Sequence, residues 1–100
     1  MDMTMEIMRR GQETTIKIEG RLDTTTAPVL DKTIMEDLGD TKNLILDVKG
    51  LEYISSAGLR VLLGAQQKME AIGTMKLIHV CEEIMDVLEM TGFADILVIE

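Results

Sequence analysis

Two adjacent serines, Ser55 and Ser56, stand in the stretch YISSAGLRVLLG, followed by the small residues Ala57 and Gly58. Serine hydroxyls can attack a substrate, cap a helix or accept a phosphoryl group. A nucleophilic serine needs a base and a group that orients the base. The one histidine, His79, lies in the apolar segment MKLIHV, where a core or sheet-face role is expected. No G-x-S-x-G elbow surrounds Ser56. There is no Walker-type phosphate loop, and no G-x-G-x-x-G follows the first apolar segment. One cysteine and one histidine give no metal-ligand spacing. Cys81 reads as a small hydrophobe or an edge residue, and Glu36-Asp37, Glu82-Glu83 and Asp95 read as solvated faces. No enzymatic constellation emerges, and a serine hydrolase would require His79 to approach Ser56.

The chemistry left to the serines is that of a helix start. A strand is expected to end near Leu46-Asp47-Val48, followed by a short loop and a turn of apolar residues. Ser55 or Ser56 then falls at the N-cap of the next helix. Capping alone is worth roughly 1 kcal/mol, and on sequence physics alone it is the favoured reading. A sharper reading starts from the place. A helix start at the C-terminal edge of a parallel strand is the usual site edge of an open α/β sheet. Small side chains would leave a bare patch that another protein can approach. A phosphate added there would meet unpaired N–H groups and the positive end of the helix dipole. Its charge of about −1.5 to −2 would then be felt by whatever docks on the patch.

The elements that position this junction follow from periodicity. MTMEIMRRGQETTIKIEG alternates in two segments around Arg10-Gly11-Gln12-Glu13, with Met3, Met5 and Ile7 on one side of the first and Ile16 and Ile18 in the second. This predicts a β-hairpin with one wet face. In RLDTTTAPVLDKTIMEDLG, Ala27, Leu30, Ile34 and Leu38 recur at helical spacing. The threonines offer N-caps, Pro28 suits the first turn and Gly39 the stop. NLILDV reads as a strand buried on both faces. AGLRVLLGAQQKMEAIG predicts a second helix with Leu59, Leu62, Leu63 and Met69 inward, ended by Gly73. MKLIHV is a strand, EEIMDVLEMTG a third helix with Ile84, Val87 and Leu88 inward, and DILVIE a closing strand. The order ββαβαβαβ implies a mixed, mostly parallel α/β sheet with an N-terminal hairpin and helices packed on it. The 100 residues form one domain, 1–100, with no linker or repeat.

Composition narrows the function classes. The chain is 46% hydrophobic but only 2% aromatic, so its core must be aliphatic, with nine methionines as adaptable filler. A net charge of −8 argues against nucleic acid and against an anionic membrane surface. One cysteine permits no internal disulfide, which fits a reducing compartment. No apolar run is long enough to insert in a membrane and the N-terminus lacks a signal-peptide core. A cytoplasmic protein is expected.

Three segments carry a resemblance to a known family. GRLDTTTAPVL is similar to the Gly-x-Leu-Asp segment of the STAS domain, leading into its first helix. LILDVKGLEYISSAGLRVLLG is similar to its strand, phosphorylation segment and second helix. VLEMTGFADIL is similar to its Leu-x-x-x-Gly-Leu/Phe close. In order and without large gaps, they resemble the bacterial anti-sigma factor antagonists, and the element order agrees with the STAS fold. The final helix of many antagonists is missing, since the sequence ends at Glu100 directly after the last strand. The resemblance implies partner switching. Unphosphorylated members bind an anti-sigma factor and free a sigma factor. The anti-sigma factor, often a serine kinase using ATP and Mg²⁺, phosphorylates the antagonist and ejects it, and a PP2C-like phosphatase restores it. No cofactor belongs to the antagonist itself.

Aligning Gly58-Leu59 with the family's Gly-Leu places the phosphorylated serine at Ser56. Ser55 stands where well-known members have Asp, and so becomes a second-choice acceptor; Ala57 stands where Ser or Thr is usual. Asp23 matches the Asp of Gly-x-Leu-Asp, which lies near the phosphorylation site, and its bland role is to cap the first helix. The expected partner surface is Asp23, Thr24, Thr25, Ser55, Ser56, Ala57, Gly58 and Arg60. The alternative is a STAS module without switching, a structural or regulatory subunit in a stress-sensing assembly or a lipid- or anion-transport system. Ser56, the acidic surface and the absence of a fused transmembrane part favour the free-standing antagonist.

Overall fold

The computed structural model describes residues 2–100. It contains β1 (Met3–Arg10), β2 (Glu13–Leu22), α1 (Ala27–Glu36), β3 (Asn43–Ile54), α2 (Ser56–Ile72), β4 (Thr74–Ile78) and α3 (Glu82–Met90), with a 3₁₀ turn at Phe93–Asp95. The four strands form one sheet in the order β1-β2-β3-β4. The β1–β2 pair is antiparallel, β2–β3 and β3–β4 parallel. This is the expected α/β architecture with an N-terminal hairpin. Gly11, at a positive φ of 62°, opens the two-residue turn that sets the hairpin register, Arg10 opposite Glu13.

The sheet is covered on one face. Ile16, Ile18, Leu22, Leu44, Leu46, Val48, Met75 and Leu77 are buried, while the residues alternating with them are partly or fully exposed. Leu30 and Ile34 of α1, Leu62 and Met69 of α2, and Ile84 and Leu88 of α3 complete an aliphatic core. Reading NLILDV as a strand buried on both faces is therefore corrected: Ile45 and Asp47 are only half-buried, on the uncovered side.

Four further local expectations change. β3 does not stop near Val48 but runs to Ile54. Two register shifts against β2, between Lys17 and Glu19 and between Gly20 and Arg21, give β3 an extra residue at each. Its buried residues thus pass from alternate spacing at Leu44, Leu46 and Val48 to steps of three at Leu51 and Ile54. His79 lies beyond β4, exposed and at a φ of 61°. The closing strand shrinks to one bridge, Leu77 with Ile99, held by the Leu77 N–H to Val98 and the Glu100 N–H to Leu77. In α2, Ala65 and Gln66 are buried where Leu63 was expected to be, and Leu63 is half-exposed.

Candidate functional site

β2 and β3 end level, with Leu22 opposite Ile54. β3 runs into α2 after the single residue Ser55, and β2 into α1 after the four-residue turn Asp23–Thr26, so the starts of α1 and α2 lie side by side at the C-terminal edge of parallel strands. The Ser55 N–H donates to the Leu22 carbonyl at 2.9 Å, locking the two junctions together. Gly58 makes this approach close. A Cβ there would lie 2.8 Å from Leu22 Cγ, 2.9 Å from Ile54 Cγ1 and 3.0 Å from the Leu22 carbonyl oxygen. Gly58 is buried, so its place is in this packing, and it offers a partner little surface of its own.

The two serines are separated by one position and by role. Ser55 is the N-cap, extended at φ −98° and ψ 175°, and its hydroxyl accepts the Gly58 N–H at 3.4 Å. Ser56 is the first helical residue and is exposed. Leu59 N–H is the first in the helix to reach a backbone carbonyl, that of Ser55. The Ser56 hydroxyl makes no hydrogen bond among the described residues, so it stands free in front of the positive helix end.

At the start of α1 the three threonines divide similarly. Thr26 occupies the N-cap position but does not cap through its side chain. Its fully buried hydroxyl donates to the Arg21 carbonyl at 2.8 Å and accepts the Asp23 N–H at 2.8 Å. The capping oxygen belongs to Asp23, whose Oδ1 accepts the Thr25 hydroxyl at 2.8 Å and the amides of Thr25 and Thr26 at 3.0 and 3.1 Å. The Thr25 hydroxyl first, then these amides and the Thr26 hydroxyl, hold the carboxyl below its ordinary value, outweighing the upward push of burial. Thr24 is exposed.

Between the helices lies a shallow groove of about 370 Å³, walled by Thr24, Ala27 and Asp31 on one side and Ala57, Arg60 and Val61 on the other. The structure thus brings together Thr24, Ala57 and Arg60 in one groove, with Ser56 next to its wall, and turns Asp23 toward its own helix. Arg21 and Tyr53 were not foreseen. They pair across the bulged β2–β3 register, with the guanidinium 4.1 Å from the ring centroid and its Nε 3.8 Å from Asp23 Oδ2. A regular register would not bring them level, so no sequence signal marked them. The groove residues Asp31 and Val61 were legible only as helical neighbours of Ala27 and Ala57.

His79 does not serve the serines. Its Nδ1 lies 3.0 Å from Asp47 Oδ1, which also accepts the Lys49 N–H. Burial pushes the Asp47 carboxyl up, but the His79 hydrogen bond, the Lys49 amide and the charges of His79 and Lys17 together bring it below its ordinary value. Cys81 is a half-buried N-cap of α3, its Sγ 3.8 Å from the Leu51 carbonyl. Among the described residues no three His, Cys, Asp or Glu side chains gather as a metal site, and no helix is long and apolar enough to cross a membrane.

Comparison with known proteins adds relatives. The family model described as STAS domain matches residues 4–100. The anti-sigma-B factor antagonist of Bacillus subtilis is 25% identical over 98 residues, covering 97% of this chain and 90% of that protein. BtrV of Bordetella bronchiseptica, named as an anti-sigma factor antagonist, is 34% identical over 82 residues, covering 79% of this chain and 70% of its own. The crystal structure of an anti-sigma factor antagonist from Mycobacterium paratuberculosis superposes with a TM-score of 0.86 at 19% identity, over 97% of this chain and 84% of that one.

Proposed function

Because the chain belongs to the STAS domain family, we propose that it acts as an anti-sigma factor antagonist switched by phosphorylation of Ser56. In the unphosphorylated state it binds an anti-sigma factor through the groove between α1 and α2 and the adjoining helix start, and so frees a sigma factor. The anti-sigma factor is also a serine kinase, and it supplies the ATP and Mg²⁺. The chain carries no cofactor and catalyses nothing. A PP2C-like phosphatase resets it, and all of this takes place in the cytoplasm without contact with DNA.

The observation that carries the reading is the division of labour at the start of α2. Ser55 is occupied as the cap, whereas Ser56 is exposed with a free hydroxyl at the first helical position. A phosphoryl group on Ser56 gains from the helix dipole and from nearby N–H donors, so the domain tolerates it. A partner packed over Ala57 and Arg60 would instead have to desolvate a dianion that the single charge of Arg60 does not balance, which costs several kcal/mol. The unphosphorylated protein, used as bait, should retain an ATP-binding serine kinase. After incubation with that kinase, ATP and Mg²⁺, mass spectrometry should find one phosphate, on Ser56. Phosphate only on Ser55 or a threonine would overturn the assignment.

A further inference from the structure

Among the described residues β1 has one side without a strand: it is the margin of the sheet and pairs only with β2. Arg10 and Glu13 flank the two-residue turn, and at the other end the Arg21 N–H donates to the Asp2 carbonyl at 2.8 Å. Both ends show that the even-numbered residues of β1 direct their N–H and C=O groups to β2. The backbone groups of Met3, Met5, Ile7 and Arg9 therefore point out of the sheet. Such an edge is ordinarily blunted by a proline, a bulge or an inward charge. β1 has no proline and its register with β2 runs unbroken; its one charge on the helix-covered face, Arg9, is drawn aside to the Asp37 carbonyl, and Ile7 and Met8 are 43% and 50% exposed.

We propose that this edge pairs antiparallel with β1 of a second copy of the chain, joining the two sheets into one across a two-fold axis at Met8. A two-fold axis perpendicular to the sheet keeps each residue on its own face, so even-numbered residues meet even-numbered ones. With Met8 on the axis, Glu6 faces Arg10 of the second copy, twice over. Ile7 and Arg9 face each other and exchange the backbone hydrogen bonds that each strand leaves free. Within each copy Glu6 is already level with Lys17, and Arg10 with Glu13. The uncovered face would then carry the row Lys17, Glu6, Arg10, Glu13, alternating in sign across the junction. Other registers lose this. With Ile7 on the axis Glu6 meets Met8; one step further Glu6 meets Glu6; in the opposite direction Arg9 meets Arg9. Like charges placed opposite destabilise a ladder. Charge thus selects the Met8-centred register. The contact is small, so the dimer is weak and reversible. It leaves the groove free, because Ser56 follows the Ile54 end of the sheet, alongside the Met3 end of the hairpin rather than the Arg10 end.

Sedimentation velocity of the full chain, from about 10 µM to 1 mM, should show a concentration-dependent dimer in the range of small transient interfaces. Glu6→Arg or Arg10→Glu alone should weaken it about tenfold, since each spoils two pairs. The double exchange, Glu6→Arg with Arg10→Glu, made together with Lys17→Glu and Glu13→Lys so that opposite charges stay level within each hairpin, should restore it. In a Cys81→Ala background, Met8→Cys should form an intermolecular disulfide more readily than a cysteine at Glu6 or Arg10. A monomer across the whole range, single reversals without effect, or a double exchange that fails to rescue would each overturn the proposal.

Discussion

Replacing Ser55 by alanine removes the oxygen that accepts the Gly58 N–H, and replacing Ser56 removes nothing that the folded chain uses. Ser55→Ala should therefore destabilise the domain by about 0.5–1 kcal/mol and lower the thermal midpoint by about 2–8 °C, while Ser56→Ala should stay within about 0.5 kcal/mol of wild type. Chemical denaturation of the two variants checks this. Asp23 is tested by pH. Its folded carboxyl titrates below the ordinary aspartate value, so its contribution is full above that value and is lost as pH falls through the depressed folded value. Asp23→Asn should remove part of the acid-side loss and lower stability at neutral pH; an unchanged acid limb would show that the Thr25 and Thr26 bonds contribute nothing. The sequence marked Ser55 and Ser56 together as a helix start but could not assign the cap between them. That choice depends on where β3 ends, and the end is displaced by residues whose spacing no longer alternates.

At the scale of elements, the hairpin, the three helices and the parallel strands were legible because their apolar periods are regular. The second half of β3 was not, since two bulges re-phase its buried residues at Leu51 and Ile54 and make KGLEYI look like a loop. The closing strand failed for a different reason. DILVIE is apolar enough for a strand, but it meets β4 only through the Leu77–Ile99 bridge and leaves Ile96 and Val98 about half exposed. Two glycines in α2 separate packing from propensity. Gly64 has open space, with Met35 Cε 3.9 Å from an added Cβ, so Gly64→Ala should stabilise the helix by about 0.5–1 kcal/mol. Gly58→Ala would press a methyl into Leu22 and Ile54 and should cost about 1–3 kcal/mol despite the same gain in propensity. Thermal midpoints moving in opposite directions would bear this out; two equal shifts would mean that the α2 start is not tightly seated on β2 and β3.

For the whole molecule, a sheet covered on one face leaves three separate surfaces: the groove and helix starts at one end, the uncovered strands and the free β1 edge. Switching by phosphate requires the first to change its charge while the core beneath it stays put. The core is aliphatic and continuous beneath α2, with Leu59, Leu62 and Met69 buried, and Ser56 lies exposed outside it, so a charge there is expected to leave the fold in place. The measurement that bears most directly on this is affinity for the anti-sigma factor together with thermal midpoint, compared among wild type, Ser56→Ala, Ser56→Asp and the Ser56 phosphoprotein. The expected result is unchanged binding for Ser56→Ala, at least about tenfold weaker binding for Ser56→Asp and a larger loss for the phosphoprotein, all with midpoints near that of wild type. Binding that fell only in step with a collapsing midpoint, or a phosphoprotein that bound as tightly as wild type, would contradict it.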